Sequence, residues 1–141
     1  MSHYTLVNTK LTRRSSIVKA LTAMGFSEES IEVSDTPMAL KDYYGHEHKH
    51  KGQIRIKGRG WGYQVGRLSA DLGFELAADG TYTMHMDSMD QGGRLGKSWQ
   101  DKFLNQYGKA VIEEVCEEHH FFITSCQEEG EEIHITVQSP F

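Results

Sequence analysis

The chain is short of cysteine, of long apolar runs and of any local catalytic signature. Its two cysteines, Cys116 and Cys126, form no CxxC pair. That spacing supports neither a zinc knuckle nor a disulfide framework and leaves free thiols in a reducing compartment. No apolar stretch approaches the roughly 20 residues that span a bilayer, and the opening MSHYTLVNTK lacks the apolar core of a signal peptide. The expectation is a protein that stays in the cytoplasm, away from the membrane. GxSxG does not occur, and the letters HExxH occur only at His46-Glu47-His48-Lys49-His50, in a stretch read as extended, where the one-turn helical spacing that motif needs is lacking, so the common hydrolase and metalloprotease motifs give no support to an enzyme. Repeats, linkers and low-complexity tracts are absent as well.

What is present is a globular composition, with 38% apolar and 25% charged residues in a chain of 141. That length buries roughly two thirds of the unfolded surface in one core without disulfide or metal. The net charge of -5 argues against a dedicated duplex-DNA binder, but the charge is unevenly placed. Lys49, Lys51, Arg55, Lys57, Arg59 and Arg67 follow one another with no acidic residue between them, whereas Glu113 to Glu132 holds eight glutamates and no Lys or Arg. The molecule is polarised, which favours electrostatic partners and allows weak head-to-tail self-association.

Periodicity predicts the elements. Tyr4 to Leu11 reads as a first strand, and Thr12 as the cap of a helix whose Ile17, Ala20, Leu21 and Met24 form one apolar stripe ending at Gly25. Ile31 and Val33 suggest a short strand interrupted at Asp35-Thr36-Pro37, and Lys41 to Tyr44 runs extended into the histidines. Ile54 and Ile56 alternate with Arg55 and Lys57, a half-buried strand with its basic side chains in water. Gly58 to Gly62 turns it, and Tyr63 to Leu68 returns.

Leu72 to Leu76, the turn signal Ala78-Asp79-Gly80, and Tyr82, Met84 and Met86 make a further hairpin, with His85 and Asp87 on its solvent face. Ser88 to Gly96 reads as a flexible loop. A second helix runs from about Ser98 to about Glu118 with Phe103, Leu104, Tyr107, Val111 and Val115 on its apolar side. A final hairpin joins Phe121–Gln127 to Ile133–Gln138, with Ile133, Ile135 and Val137 inward. The expected whole is a single α+β domain over 1–141, with two amphipathic helices on one face of a mostly antiparallel sheet.

The opening Met1-Ser2-His3-Tyr4, the strand through Thr9-Lys10, the helix end Ala20 to Phe26 and the closing hairpin ending Ile135-Thr136-Val137-Gln138 resemble one family. It is the conserved hypothetical reading frame of cyanobacteria and plastids, number thirty-five in the chloroplast frame series, a domain of unknown function. The resemblance covers both ends of the chain. It implies a compact α+β cytosolic or stromal protein with no established activity or cofactor to transfer. The family's context near an AAA-type ATPase implies an accessory or adaptor role.

Gly45 to Gly52, read as GHEHKHKG, carries the most chemistry. On an extended strand His46, His48 and His50 share a face at spacings of about 6.6 Å, from a rise of ~3.3 Å per residue. One ion about 2.0 Å from each nitrogen does not reach three such neighbours. Zinc, nickel or copper binding there needs a ligand from elsewhere in the fold; otherwise these residues are a solvated strand edge. His119-His120 reads as a helix terminus, with Cys116 and His120 a two-ligand spacing that lacks partners.

Gly58-Arg59-Gly60-Trp61-Gly62 lacks phosphate-loop spacing and reads as a turn. Beside it, Arg55, Lys57, Arg59 and Arg67 interleave with Trp61 and Tyr63, a composition suited to docking a protein or, alternatively, to single-stranded nucleic acid. A Cys–His nucleophile, or Asp87 or Asp90 orienting His85, has no supporting motif. The sequence therefore points to a non-enzymatic accessory protein that uses the basic aromatic hairpin, with metal at the histidines as the rival.

Overall fold

The computed structural model describes residues 10–58, 68–120, 122–129 and 132–138. The fold is α+β and divides into two compact units, Ser27–Lys97 with the chain up to Thr12, and Arg13–Phe26 with the chain from Ser98 onward. The predicted strand from Tyr4, the turn beyond Gly58, the return strand from Tyr63 and the tip at Gly130-Glu131 fall outside the described residues, apart from the chain at residues 10 and 11 and Leu68.

The first unit is a four-stranded antiparallel sheet in sequence order: β1 (Ile31–Lys41), β2 (Glu47–Ile56), β3 (Leu72–Leu76) and β4 (Tyr82–His85). Leu11 adds a bridge to Tyr82 at the β4 edge. Pro37 does not end β1 as its position suggests. The strand continues, and the pairing shifts between Val33 and Met38, so the residue without an N–H sits where the ladder is already irregular. Lys41 to Tyr44 is likewise not extended throughout. Asp42 Oδ1 accepts from the amides of Tyr44 and His46 at 2.9 and 3.0 Å, and Gly45 takes φ +81°. Together they make the tight turn from β1 to β2.

Ile54, Ile56, Leu72, Phe74, Tyr82, Met84 and Met86 are buried in this unit, as alternation predicts. Buried carboxylates tie its loops. Asp71 accepts from the Gly58 amide at 2.8 Å and the Lys41 amide at 2.9 Å. Asp90 accepts from Ser69 and Ala70. The predicted flexible loop after β4 instead opens with a helical turn, α2 (Ser88–Gln91), capped by Asp87 through the Met89 amide. A side-chain acceptor at that position satisfies a donor the short helix cannot.

In the second unit α1 (Arg14–Ala23) has Arg13, not Thr12, as its N-cap, and the N-cap side chain makes no capping hydrogen bond. The Arg13 amide instead donates to the Tyr107 hydroxyl of α3 (Lys97–His119) at 3.1 Å. Ser15 and Ser16 donate to Glu114, and Arg13 pairs with Glu118. Gly25, at φ +102°, ends α1 with the Phe26 amide returning to the Leu21 carbonyl. On α3 the buried residues are Phe103, Tyr107, Ala110 and Cys116, while Leu104, Val111 and Val115 are half-buried. Strands β5 (Phe122–Glu129) and β6 (Glu132–Gln138) pair antiparallel; the side chains of Ile133, Ile135 and Val137 are outside the described ones. No helix among the described residues is long and apolar enough to cross a membrane.

Two glycines test this packing in opposite directions. A Cβ on Gly58 would stand 2.2 Å from the Ala70 carbonyl carbon, against backbone, whereas one on Gly108 in α3 meets nothing within 4 Å. Gly58→Ala is expected to lower the unfolding free energy by at least about 1–3 kcal/mol. Gly108→Ala is expected to raise it by roughly 0.5–1 kcal/mol. Urea unfolding measures both, and an unchanged midpoint for Gly58→Ala contradicts the close approach to Ala70.

Candidate metal centre

Regular pairing between β2 and β3 covers Ile56↔Leu72, Arg55↔Gly73 and Ile54↔Phe74. Beyond it the Leu76 amide donates to the side chain of Gln53, at 2.8 Å, in place of a main-chain acceptor. Gly52 passes so close to β3 that a Cβ there would lie 3.0 Å from the Phe74 nitrogen. The half of β2 that carries the histidines is thus set apart from the regular ladder.

On the other side, the hairpin register pairs Gly73 with His85 and Glu75 with Thr83. Residues two apart share a face, so Glu75 and His85 are diagonal neighbours on one face of β3 and β4. His85 Nε2 and Glu75 Oε1 lie 2.8 Å apart. The ring of His50 stacks on that of His85 with centroids 4.1 Å apart and planes 14° from parallel. One potential ligand atom from each of His50, Glu75 and His85 falls within 4.8 Å of the others. Two donors on one tetrahedral ion sit about 3.3 Å apart, from bonds of ~2.0–2.1 Å. Closing the set onto one ion therefore takes an approach of up to roughly 1.5 Å between ligand atoms and a turn of the two near-parallel rings that brings their in-plane lone pairs together.

His85 does not face water, contrary to the alternation reading; it is 6% exposed. Alternation assigns a residue to a face but does not say that the second face is bare, and here His50 covers it. Burial pushes the proton affinity of His85 below its ordinary value, the hydrogen bond to Glu75 opposes this, and the nearby His50 adds to it. His48 is lowered by burial and by the charges of His50 and Lys49. Neutral imidazole is the form that binds a metal.

Of the three histidines first singled out, only His50 joins the cluster. His46 is exposed and precedes β2, its ring against Tyr44 at 6.5 Å. His48 stacks on His50 at 5.1 Å, but its Nδ1 accepts from the His50 amide at 3.3 Å. A neutral ring that accepts at Nδ1 carries its proton on Nε2, which has then no lone pair for a metal. Glu75 and His85 are the residues from elsewhere in the fold that could complete a ligand set with His50. The Asp-Gly turn contained the signal: closing that hairpin with Leu76 opposite Tyr82 already places Glu75 and His85 diagonally.

The basic hairpin is altered too. Alternation puts Arg55 in water, yet its side chain is 16% exposed. It pairs with Glu32, its cross-strand partner, and donates to the Ala39 carbonyl at 2.9 Å. Cross-strand opposite charge explains the inward turn. Lys57 remains exposed, 3.9 Å from Glu32. Arg59, Trp61, Tyr63 and Arg67 lie outside the described residues. Cys116 is buried on α3, whereas His120 is exposed past its end at φ +59°, so helix spacing does not continue from one to the other.

Compared with protein-family models, curated proteins and solved structures, the chain has no significant match. Its functional reading accordingly rests on geometry.

The depressed proton affinities of His85 and His48 fix a sign. Below the ordinary value of 6.5 the unfolded chain takes up protons that the folded chain refuses, so stability falls as the pH drops through that range. In metal-free protein the melting temperature is expected to fall between about pH 7 and about pH 5.5, and less steeply in His85→Gln. Equal slopes in the two proteins would contradict a buried neutral His85.

Proposed function

We propose that the sheet unit binds a divalent transition-metal ion through His50, Glu75 and His85, in the service of a non-enzymatic accessory role. The observation that carries this reading is the convergence of those three ligand atoms from three adjacent strands within 4.8 Å. Two imidazoles and one carboxylate form a borderline donor set, suited to zinc, nickel or copper more than to calcium or magnesium. Rigid strands position each donor, and a site on strands is held more closely than one on loops.

Docking of a macromolecule through the basic aromatic hairpin has weaker support, because Arg55 is already held by Glu32 and Ala39. An ATPase or other protein partner, as the family resemblance implies, is compatible with the metal reading and independent of it.

Metal content after exhaustive dialysis tests the proposal. About one equivalent of zinc, nickel or copper per chain is expected, with affinity lowered about tenfold or more in His50→Ala and in His85→Ala. His46→Ala and His120→Ala are expected to bind as the parent does. Loss of binding in those two variants, with retention in the first two, would sink the assignment.

A further inference from the structure

The turn between β1 and β2 places aromatic rings where no core can use them. Hydrogen bonds hold this turn: Asp42 Oδ1 accepts from the Tyr44 and His46 amides, the Asp42 amide donates to the His46 carbonyl at 2.9 Å, and the Gly45 amide donates to the Asp42 carbonyl at 3.0 Å. At its tip Tyr44 is 69% exposed. Tyr43 stands edge-on to the Tyr44 ring with centroids 5.3 Å apart, and the exposed His46 ring lies 6.5 Å from it. A single apolar side chain in water needs no explanation, but three adjoining rings on a fixed turn make a surface.

The charge beside this tip is positive. Lys49, Lys51, Arg55 and Lys57 lie on β2 or directly after it. At the far end Arg55 is paired with Glu32, and Lys57 is 3.9 Å from the same carboxylate. Near the turn Lys49 and Lys51 are exposed and, among the described residues, belong to no ion pair. Glu47, on the same face of β2, has the exposed Lys41 as its cross-strand neighbour. Residues two apart share a strand face, so Lys49 and Lys51 point away from His48 and His50, spaced about 6.6 Å from a rise of ~3.3 Å per residue.

We infer that the tip of the β1–β2 hairpin binds single-stranded nucleic acid, with a base stacked on Tyr44 and two neighbouring phosphates at Lys49 and Lys51. A single strand alternates bases with phosphates and so uses the rings and the ammonium groups together. An acidic protein surface supplies charge without a π-face beside it. A duplex hides its base faces, and the net charge of -5 counts against a long phosphate track. Lys49 and Lys51 lie on the opposite strand face from His50, and the inference does not depend on the metal reading.

Fluorescence anisotropy at low salt, with a labelled oligouridylate of about twelve nucleotides, tests it. Saturable binding is expected, and its affinity falls with salt on a log–log slope of roughly -1.4, from ~0.7 for each of two phosphates. Tyr44→Ala is expected to weaken binding about fivefold or more, whereas Tyr44→Phe, which keeps the stacking face, changes it less than about twofold. The double variant Lys49→Ala/Lys51→Ala is expected to weaken it about fivefold or more and to flatten the salt slope, and Lys57→Ala to match the parent. All four side chains are exposed, so these variants keep the fold. An absence of binding by the parent, or binding that either Tyr44→Ala or the double lysine variant leaves unchanged, would overturn the inference. Displacement by oligoglutamate of equal charge, as readily as by unlabelled oligouridylate, would also overturn it and assign the tip to an acidic protein.

Discussion

The end of regular pairing between β2 and β3 at Ile54 and Phe74 is the constraint from which the site follows. Were the ladder to continue, strict alternation would govern which face His50 occupies relative to Glu75 and His85. Gln53 instead bonds the Leu76 amide with its side chain, and Gly52 permits the close passage over Phe74. Buried backbone donors must be satisfied, and the side-chain acceptor does this while freeing the preceding residues from the register. His50 then stacks against His85 across a strand that would otherwise separate them.

That arrangement concentrates polar groups where a sheet normally puts apolar ones. His85, Gln53, Asp71, Asp87 and Asp90 are all buried in one unit. Most are accounted for by specific partners: Gln53 by Leu76, Asp71 by Gly58 and Lys41, Asp90 by the chain entering β3. These bonds hold loops in place, each at a net gain of about 1 kcal/mol and a larger loss if broken. The stacked imidazoles of His50 and His85 beside the Glu75 carboxylate are another matter. They contribute little as a core and are the donors that the proposed divalent cation would use.

Much of the sheet could be read directly from sequence, because its signals are local. Leu72 to Leu76, the Asp-Gly turn and the face of Tyr82, Met84 and Met86 follow from alternation and turn chemistry, and the structure has them. The helix through Ile17, Ala20 and Leu21 is equally legible from its stripe. Its cap was not, since Tyr107, ninety-four residues away, supplies the group that takes the Arg13 amide. Pro37 misled for a related reason: a strand tolerates proline where its partner has slipped, and only the pairing reveals the slip. At the site, His50 was legible and the need for outside ligands followed from spacing. Alternation alone puts His85 at the surface, and the ring of His50, reaching across β3 from β2, is what buries it.

The central claim is that one ion is shared by His50, Glu75 and His85. Anomalous diffraction at the zinc absorption edge, on crystals grown with stoichiometric zinc, locates the ion without altering any residue. A single strong peak among the three side chains is the result this account predicts. A peak at His46 or at His119-His120, with none between β2, β3 and β4, would contradict it.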